Sequence, residues 1–158
     1  MRIFGLLLAV ILVAGCQAPA SDEMTAEEKA DVERQVVAVL DGEFEAVKAL
    51  DLDRANGAYS RGLVYAHDGV IETDWAVMKA QDRAFYGSLQ SIDGTVGEKI
   101  VRVLGPEAAV VTAPAGVTFT DTAGVQMRAE LALTWVLSKS EDGWKIVVQH
   151  NSTPSGDE

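Results

Sequence analysis

The sequence predicts an α+β domain, with helices first and a long-stranded, curved antiparallel sheet after them. Two observations carry this. Between Val32 and Leu50 apolar residues recur every three or four positions, the period of a helix with one buried face. From Thr95 onward the pattern changes to long β-type stretches, broken by turn formers at Gly105-Pro106, Asp121 to Gly124 and Glu141-Asp142-Gly143.

Thr25-Ala26-Glu27-Glu28 has the form of a capping box, in which the threonine oxygen and the glutamate each satisfy an orphan amide of the first turn. The helix that follows turns Val32, Val36, Val39, Leu40, Phe44, Val47 and Leu50 toward a core and Glu27, Asp31, Arg34, Glu45 and Lys48 toward water. Asp51 opens a short second helix, ending in Tyr59-Ser60-Arg61-Gly62 before a first strand from Leu63 to Ala66. His67-Asp68-Gly69 turns the chain. Thr73 or Asp74 caps a third helix from about Trp75 to Leu89, with Trp75, Met78, Phe85 and Leu89 inward. Strands then run near Val96 to Leu104, Ala108 to Thr120, Val125 to Ser138 and Trp144 to Ser152. Pro114 lacks a ladder donor, so its strand needs a bend, a bulge or an edge there.

In the last hairpin Met127, Ala129, Leu131, Leu133, Trp135 and Leu137 share one face, and Gln126, Arg128, Glu130 and Thr134 the other. A two-residue Asp142-Gly143 turn pairs Glu141 with Trp144, Leu137 with Val148 and Trp135 with His150. That register makes the two apolar faces coincide and puts His150 and Ser152 at the end of the inner surface.

Arg2 and the apolar run from Ile3 to Gly15 form an export signal, too short for the roughly 20 residues of a spanning helix. Leu12-Val13-Ala14-Gly15-Cys16 resembles the bacterial lipobox. The expected organisation is a lipoprotein signal peptide over 1–15, a lipidated Cys16 and tether over 16–24, one domain over 25–153 and a disordered tail over 154–158. Cleavage at Ala18-Pro19-Ala20 is the rival, giving a soluble periplasmic or secreted protein. In a Gram-negative cell, Gln17 after the cysteine would favour the outer membrane, facing the periplasm. Cys16 is the single cysteine, so no intramolecular disulfide can form.

The chain carries 13 Lys+Arg against 24 Asp+Glu, a formal net charge of -11, which argues against a nucleic-acid partner. H-x-H, H-E-x-x-H, C-x-x-C, G-x-S-x-G, P-loop and dinucleotide motifs are missing from the sequence, so no metal and no cofactor are expected.

The order of elements, closing in Asp142-Gly143-Trp144-Lys145-Ile146-Val147 and His150-x-Ser152, resembles the SnoaL-like branch of the nuclear-transport-factor-two-like superfamily. The resemblance implies a cone-shaped barrel, its curved antiparallel sheet wrapped around the N-terminal helices, with a pocket at one end and a homodimer formed through the outer sheet face. Members include isomerases, dehydratases, polyketide cyclases and domains with no known reaction, so fold alone does not decide function. Within that frame Tyr65, His67, Trp75, Tyr86, Trp135, His150 and Ser152 are the expected ligand-binding residues. His150 is the candidate base for proton transfer beside a carbonyl, because an imidazole titrates close to working pH. The ketosteroid-isomerase-like branch uses a pocket carboxylate instead. Here Glu130 falls on the outer face, Asp74 reads as a helix cap, and no other carboxylate is clearly placed inward. Two functions follow as expectations: a lipid-anchored module that binds an apolar small molecule or an envelope partner, or an isomerase- or dehydratase-like enzyme using His150. A roomy apolar cavity in which His150 meets a second polar group such as Tyr65, Trp75 or Tyr86 favours chemistry or specific binding, and one filled by Trp135, Phe119 and Met127 favours a structural or partner-binding role.

Overall fold

The computed structural model describes residues 23–153; the stretch expected to be an export signal and lipobox, with Cys16, and the expected tail over 154–158 lie outside the described residues. The chain runs α1 (Ala26–Lys48), α2 (Leu52–Asn56), β1 (Tyr59–His67), β2 (Val70–Glu72), α3 (Trp75–Gly87), β3 (Leu89–Val96), β4 (Ile100–Gly105), β5 (Ala108–Asp121), β6 (Gln126–Ser140) and β7 (Gly143–Ser152).

The capping box forms as the sequence predicts: Glu28 N–H donates to Thr25 Oγ1 at 3.2 Å, and Thr25 N–H donates to Glu28 Oε2 at 2.7 Å. From this start α1 lays Val32, Val36 and Leu40 against the sheet, packing on β3, β4, β5 and β7. Asp51 caps α2 and Asp74 caps α3, each through a carboxylate that accepts first-turn amides. No helix of the described residues is long and apolar enough to cross a membrane.

The sheet has seven strands in the order β2-β1-β7-β6-β5-β3, with β4 also paired to β5. It is curved and does not close. Its pairings are antiparallel except β1 with β7, which is parallel and brings the first strand beside the last. The first strand is longer than expected: Tyr59 to Gly62, read as the end of the second helix, begin it, and that helix stops at Asn56. Two further strands were not anticipated. β2 returns over the Asp68-Gly69 turn, both residues at positive φ as a tight two-residue hairpin requires. β3 takes Leu89 to Val96, a stretch whose alternation is interrupted by Gly94.

Strands β3 and β4 lie end to end along one edge of β5, and Pro114 falls at the gap between them. Pairing with β3 ends at Ala115 and pairing with β4 begins at Thr112. Pro114 O accepts from Gly97 N at 2.8 Å, so the absent N–H faces the junction, where no ladder donor is required.

The β6–β7 hairpin departs from the expected register. The loop is Glu141-Asp142, Ser140 pairs with Gly143, and Gly143 takes φ +92° as the left-handed residue after the turn. Leu137 therefore pairs with Ile146. The next pair is Val136 with Val148, which leaves Val147 as the extra residue of a β-bulge. Beyond it the alternation inverts: Trp135 pairs with Gln149 and Leu133 with Asn151, while His150 pairs with Thr134 on the outer face and is exposed.

Candidate functional site

Between α1, α2, α3 and the inner face of the sheet lies an open cavity of ≈ 360 Å³. Ala55 of α2 and Ala129 of β6 are the smallest side chains in its wall. Its walls are aromatic and aliphatic, with Trp75, Tyr86, Phe119, Leu131 and Trp135 among them. Phe85 of α3 meets Phe119 of β5 edge to face at 5.4 Å between ring centroids, and both rings line the cavity. Met127, expected inside, is half exposed. The cavity is walled by Trp135 and Phe119 and not filled by them.

Of the residues expected to line a pocket, Tyr65, His67, Trp75, Tyr86 and Trp135 do so. Tyr65 and His67 stack at 4.7 Å between centroids. His150 and Ser152 do not line it: the Val147 bulge turns both to the outer face, where Ser152 Oγ donates to Ala132 O at 3.4 Å. The side chains that replace them inside are Gln149 and Asn151. Trp135 Nε1 is buried with no hydrogen-bond partner among the described residues.

Three carboxylates line the cavity, the exposed Asp68 and, contrary to the expectation that none is clearly placed inward, Glu43 and Asp82. Glu43, on the buried stripe of α1, is 8% exposed. Burial pushes its carboxyl up to about 7, against the opposing hydrogen bond from Tyr59 and with help from the nearby charge of Asp82. Burial likewise raises Asp82 of α3 above the ordinary carboxylate value. The phenols of Tyr59, Tyr65 and Tyr86 are raised by burial and further by Asp82, and so keep their protons at neutral pH.

A continuous hydrogen-bonded chain crosses the cavity wall. Tyr59 Oη lies 2.8 Å from Glu43 Oε1 and 2.8 Å from Gln149 Oε1. Gln149 Nε2 donates to Asn151 Oδ1 at 3.0 Å, and Asn151 Nδ2 donates to Tyr65 Oη at 2.9 Å. Glu43 was legible in principle, since it stands three residues after Leu40 and seven after Val36 on one helical face. Asp82 is similarly one turn from both Met78 and Tyr86. Gln149 and Asn151 were hidden by the bulge. Among the described residues no lysine or arginine lines the cavity, and no group of three or more His, Cys, Asp or Glu side chains is placed to hold a metal ion.

Comparison with known proteins agrees with this architecture. Solved structures with the same fold include the association domain of C. elegans CaMKII, at TM-score 0.66 and 20% identity over 82% of this chain and 100% of that one. A nuclear transport factor 2 (NTF2-like) superfamily protein from Salmonella enterica matches at TM-score 0.70 and 18% identity, over 82% of this chain and 96% of that one. A candidate scytalone dehydratase from Novosphingobium aromaticivorans matches at TM-score 0.76 and 8% identity, over 83% and 89%. At these identities the likeness concerns the fold, which is the nuclear-transport-factor-two-like fold that the closing motif implied. No curated protein matches the sequence. Residues 30–155 match the family described as the calcium/calmodulin dependent protein kinase II association domain, and to that family the chain belongs.

Proposed function

We propose that the domain binds a small, largely apolar molecule, uncharged or cationic, and does so at the cell envelope, held by lipid on Cys16. The observation that carries this reading is the cavity itself: ≈ 360 Å³, aromatic walls, Glu43, Asp68 and Asp82 in its lining, and no lysine or arginine there among the described residues. A ligand carboxylate or phosphate would meet like charge without a counterion, in surroundings where screening is weak. A neutral or cationic apolar molecule meets neither cost.

Pairing of two copies through the outer sheet face belongs to the same proposal. Val64, Val148, Val136 and Val110 are successive cross-strand neighbours over four strands and are partly exposed. They make an apolar row beside the polar Thr112, Thr134 and His150.

A second reading is proton transfer next to a carbonyl. With His150 outside the cavity, the chemistry would fall to Asp82 as base with Tyr65 or Tyr86 as donor, all three lining the same space.

Native mass spectrometry of the full chain purified from its own host tests the proposal in one spectrum. The expected result is an acyl-modified Cys16, two subunits and a retained small molecule without negative charge. An acylated chain that arrives empty, or one that retains an anion, contradicts the cavity reading.

A further inference from the structure

Resting on that reading of the cavity, we propose that the Tyr65 hydroxyl decides which ligands are taken, and that Glu43 sets its hydrogen-bond polarity through Tyr59, Gln149 and Asn151. A phenol has one proton to give. The Tyr59 oxygen lies between two oxygens, Glu43 Oε1 and Gln149 Oε1, so one of these contacts must draw its proton from the neighbour. Gln149 Oε1 has none. Tyr59 therefore donates to Gln149, and a neutral Glu43 donates to Tyr59. The rest of the chain runs the same way, from Gln149 Nε2 to Asn151 Oδ1 and from Asn151 Nδ2 to Tyr65 Oη. Tyr65 is left with its own proton, which nothing among the described residues accepts, and its ring lines the cavity. In this state the cavity offers a donor, and the matching ligand is an apolar molecule with a neutral acceptor such as a ketone or amide carbonyl.

Ionisation of Glu43 reverses every link. The carboxylate can only accept, so Tyr59 donates to it. Gln149 must then turn its amide to present N–H to Tyr59, Asn151 must turn likewise, and Tyr65 gives its proton to Asn151. Each turn exchanges an amide O for an NH₂ of nearly the same size, so the backbone need not move. The cavity then offers a lone pair and repels the carbonyl it had accepted.

The groups around this chain favour the neutral state. Tyr59, Tyr65, His67 and Asp68 come from β1 and its turn, and Asp82 and Tyr86 from α3. Asn56 comes from α2, and Gln149 and Asn151 from β7; β5 and β6 contribute only apolar side chains and the Trp135 ring. Among the described residues no fixed cation lies in the lining to hold Glu43 ionised. Burial keeps the carboxyl protonated to about pH 7, so the reversal falls in the physiological range.

The test follows the side-chain amide resonances of Gln149 and Asn151 and the Glu43 carboxyl carbon through a pH titration of the full chain. Binding of 1-indanone and of indane is measured at about pH 5.5 and about pH 8.5. The expected result is that both amides move with the midpoint of Glu43, and that the ketone binds about tenfold more weakly at the higher pH while the hydrocarbon is unaffected. Glu43→Gln, whose carboxamide donates to Tyr59 at every pH, should hold both amides and ketone affinity constant. Should that variant fail to fold, Tyr65→Phe serves: it should abolish the preference for ketone over hydrocarbon and keep indane binding. Amides that stay fixed while Glu43 titrates, or a ketone preference that survives Tyr65→Phe, overturn the proposal. Failure of both probes to bind while the amides still move overturns the cavity reading and leaves the relay intact.

Discussion

The Tyr59 hydroxyl meets the Glu43 carboxyl at 2.8 Å inside the core, where α1 faces the start of β1. This contact ties a helix residue to a strand residue in a place where the neighbouring positions of α1, Leu40 and Ala46, are buried hydrocarbon. One hydrogen bond only partly offsets the loss of water around a carboxylate, and the pH dependence of folding should report the difference.

Glu43 keeps its proton in the folded chain to about pH 7, against an ordinary value of 4.5. Between those values the unfolded chain releases a proton that the folded chain retains, so stability should fall as pH rises through this window and level off above it. The loss should be of order 3 kcal/mol. Urea unfolding at several pH values should show this slope in the native sequence and its disappearance in Glu43→Gln, which should be the more stable of the two under alkaline conditions.

Asp82 adds to the upward push on Glu43 through its charge. Asp82→Asn should therefore move the Glu43 midpoint downward, read from the carboxyl carbon shift. An unchanged midpoint would mean that the two groups do not sense one another.

His150 pairs with Thr134 on the outer sheet face and is exposed. His150→Ala should leave small-molecule binding unchanged and alter stability by no more than about 0.5 kcal/mol. A large fall in probe affinity would contradict the register of β7 and restore the histidine to the cavity.

Gly94 lets β3 close onto β5: a Cβ there would meet the Gly116 carbonyl oxygen and lie 2.9 Å from Val117 Cα. Both are backbone atoms that cannot swing aside. Gly94→Ala should cost about 1–3 kcal/mol in thermal or urea unfolding, the range for forced overpacking.

The fold was legible wherever one periodicity ran unbroken. The stripe of α1, the Thr25 capping box and the Asp74 cap follow from side chains only a few residues apart, and the strands β5 and β6 from long alternation between turn signals. What escaped depends on partners far away in sequence. Tyr59 to Gly62 carry turn-forming residues, but the parallel pairing with β7, begun at Tyr59 and resumed at Val64, draws them into the strand. In β7 the doublet Val147-Val148 looks like continuous strand, and only the Leu137–Ile146 and Val136–Val148 pairs reveal the bulge. That one extra residue exchanged His150 and Ser152 for Gln149 and Asn151 inside the cavity. Glu43 was passed over because a charged residue on an apolar stripe is read as an exception, whereas here it marks the site.

The central claim, that the cavity takes apolar molecules lacking negative charge, is tested most directly by three probes of one shape. These are 1-indanone, 2-aminoindane and indane-2-carboxylate, titrated into the full chain while the Trp75 and Trp135 indole resonances are followed at about pH 6. The account predicts saturable shifts with the ketone and the amine, and none with the carboxylate. Shifts with the carboxylate as large as with the other two, or no shift with any probe, would contradict it.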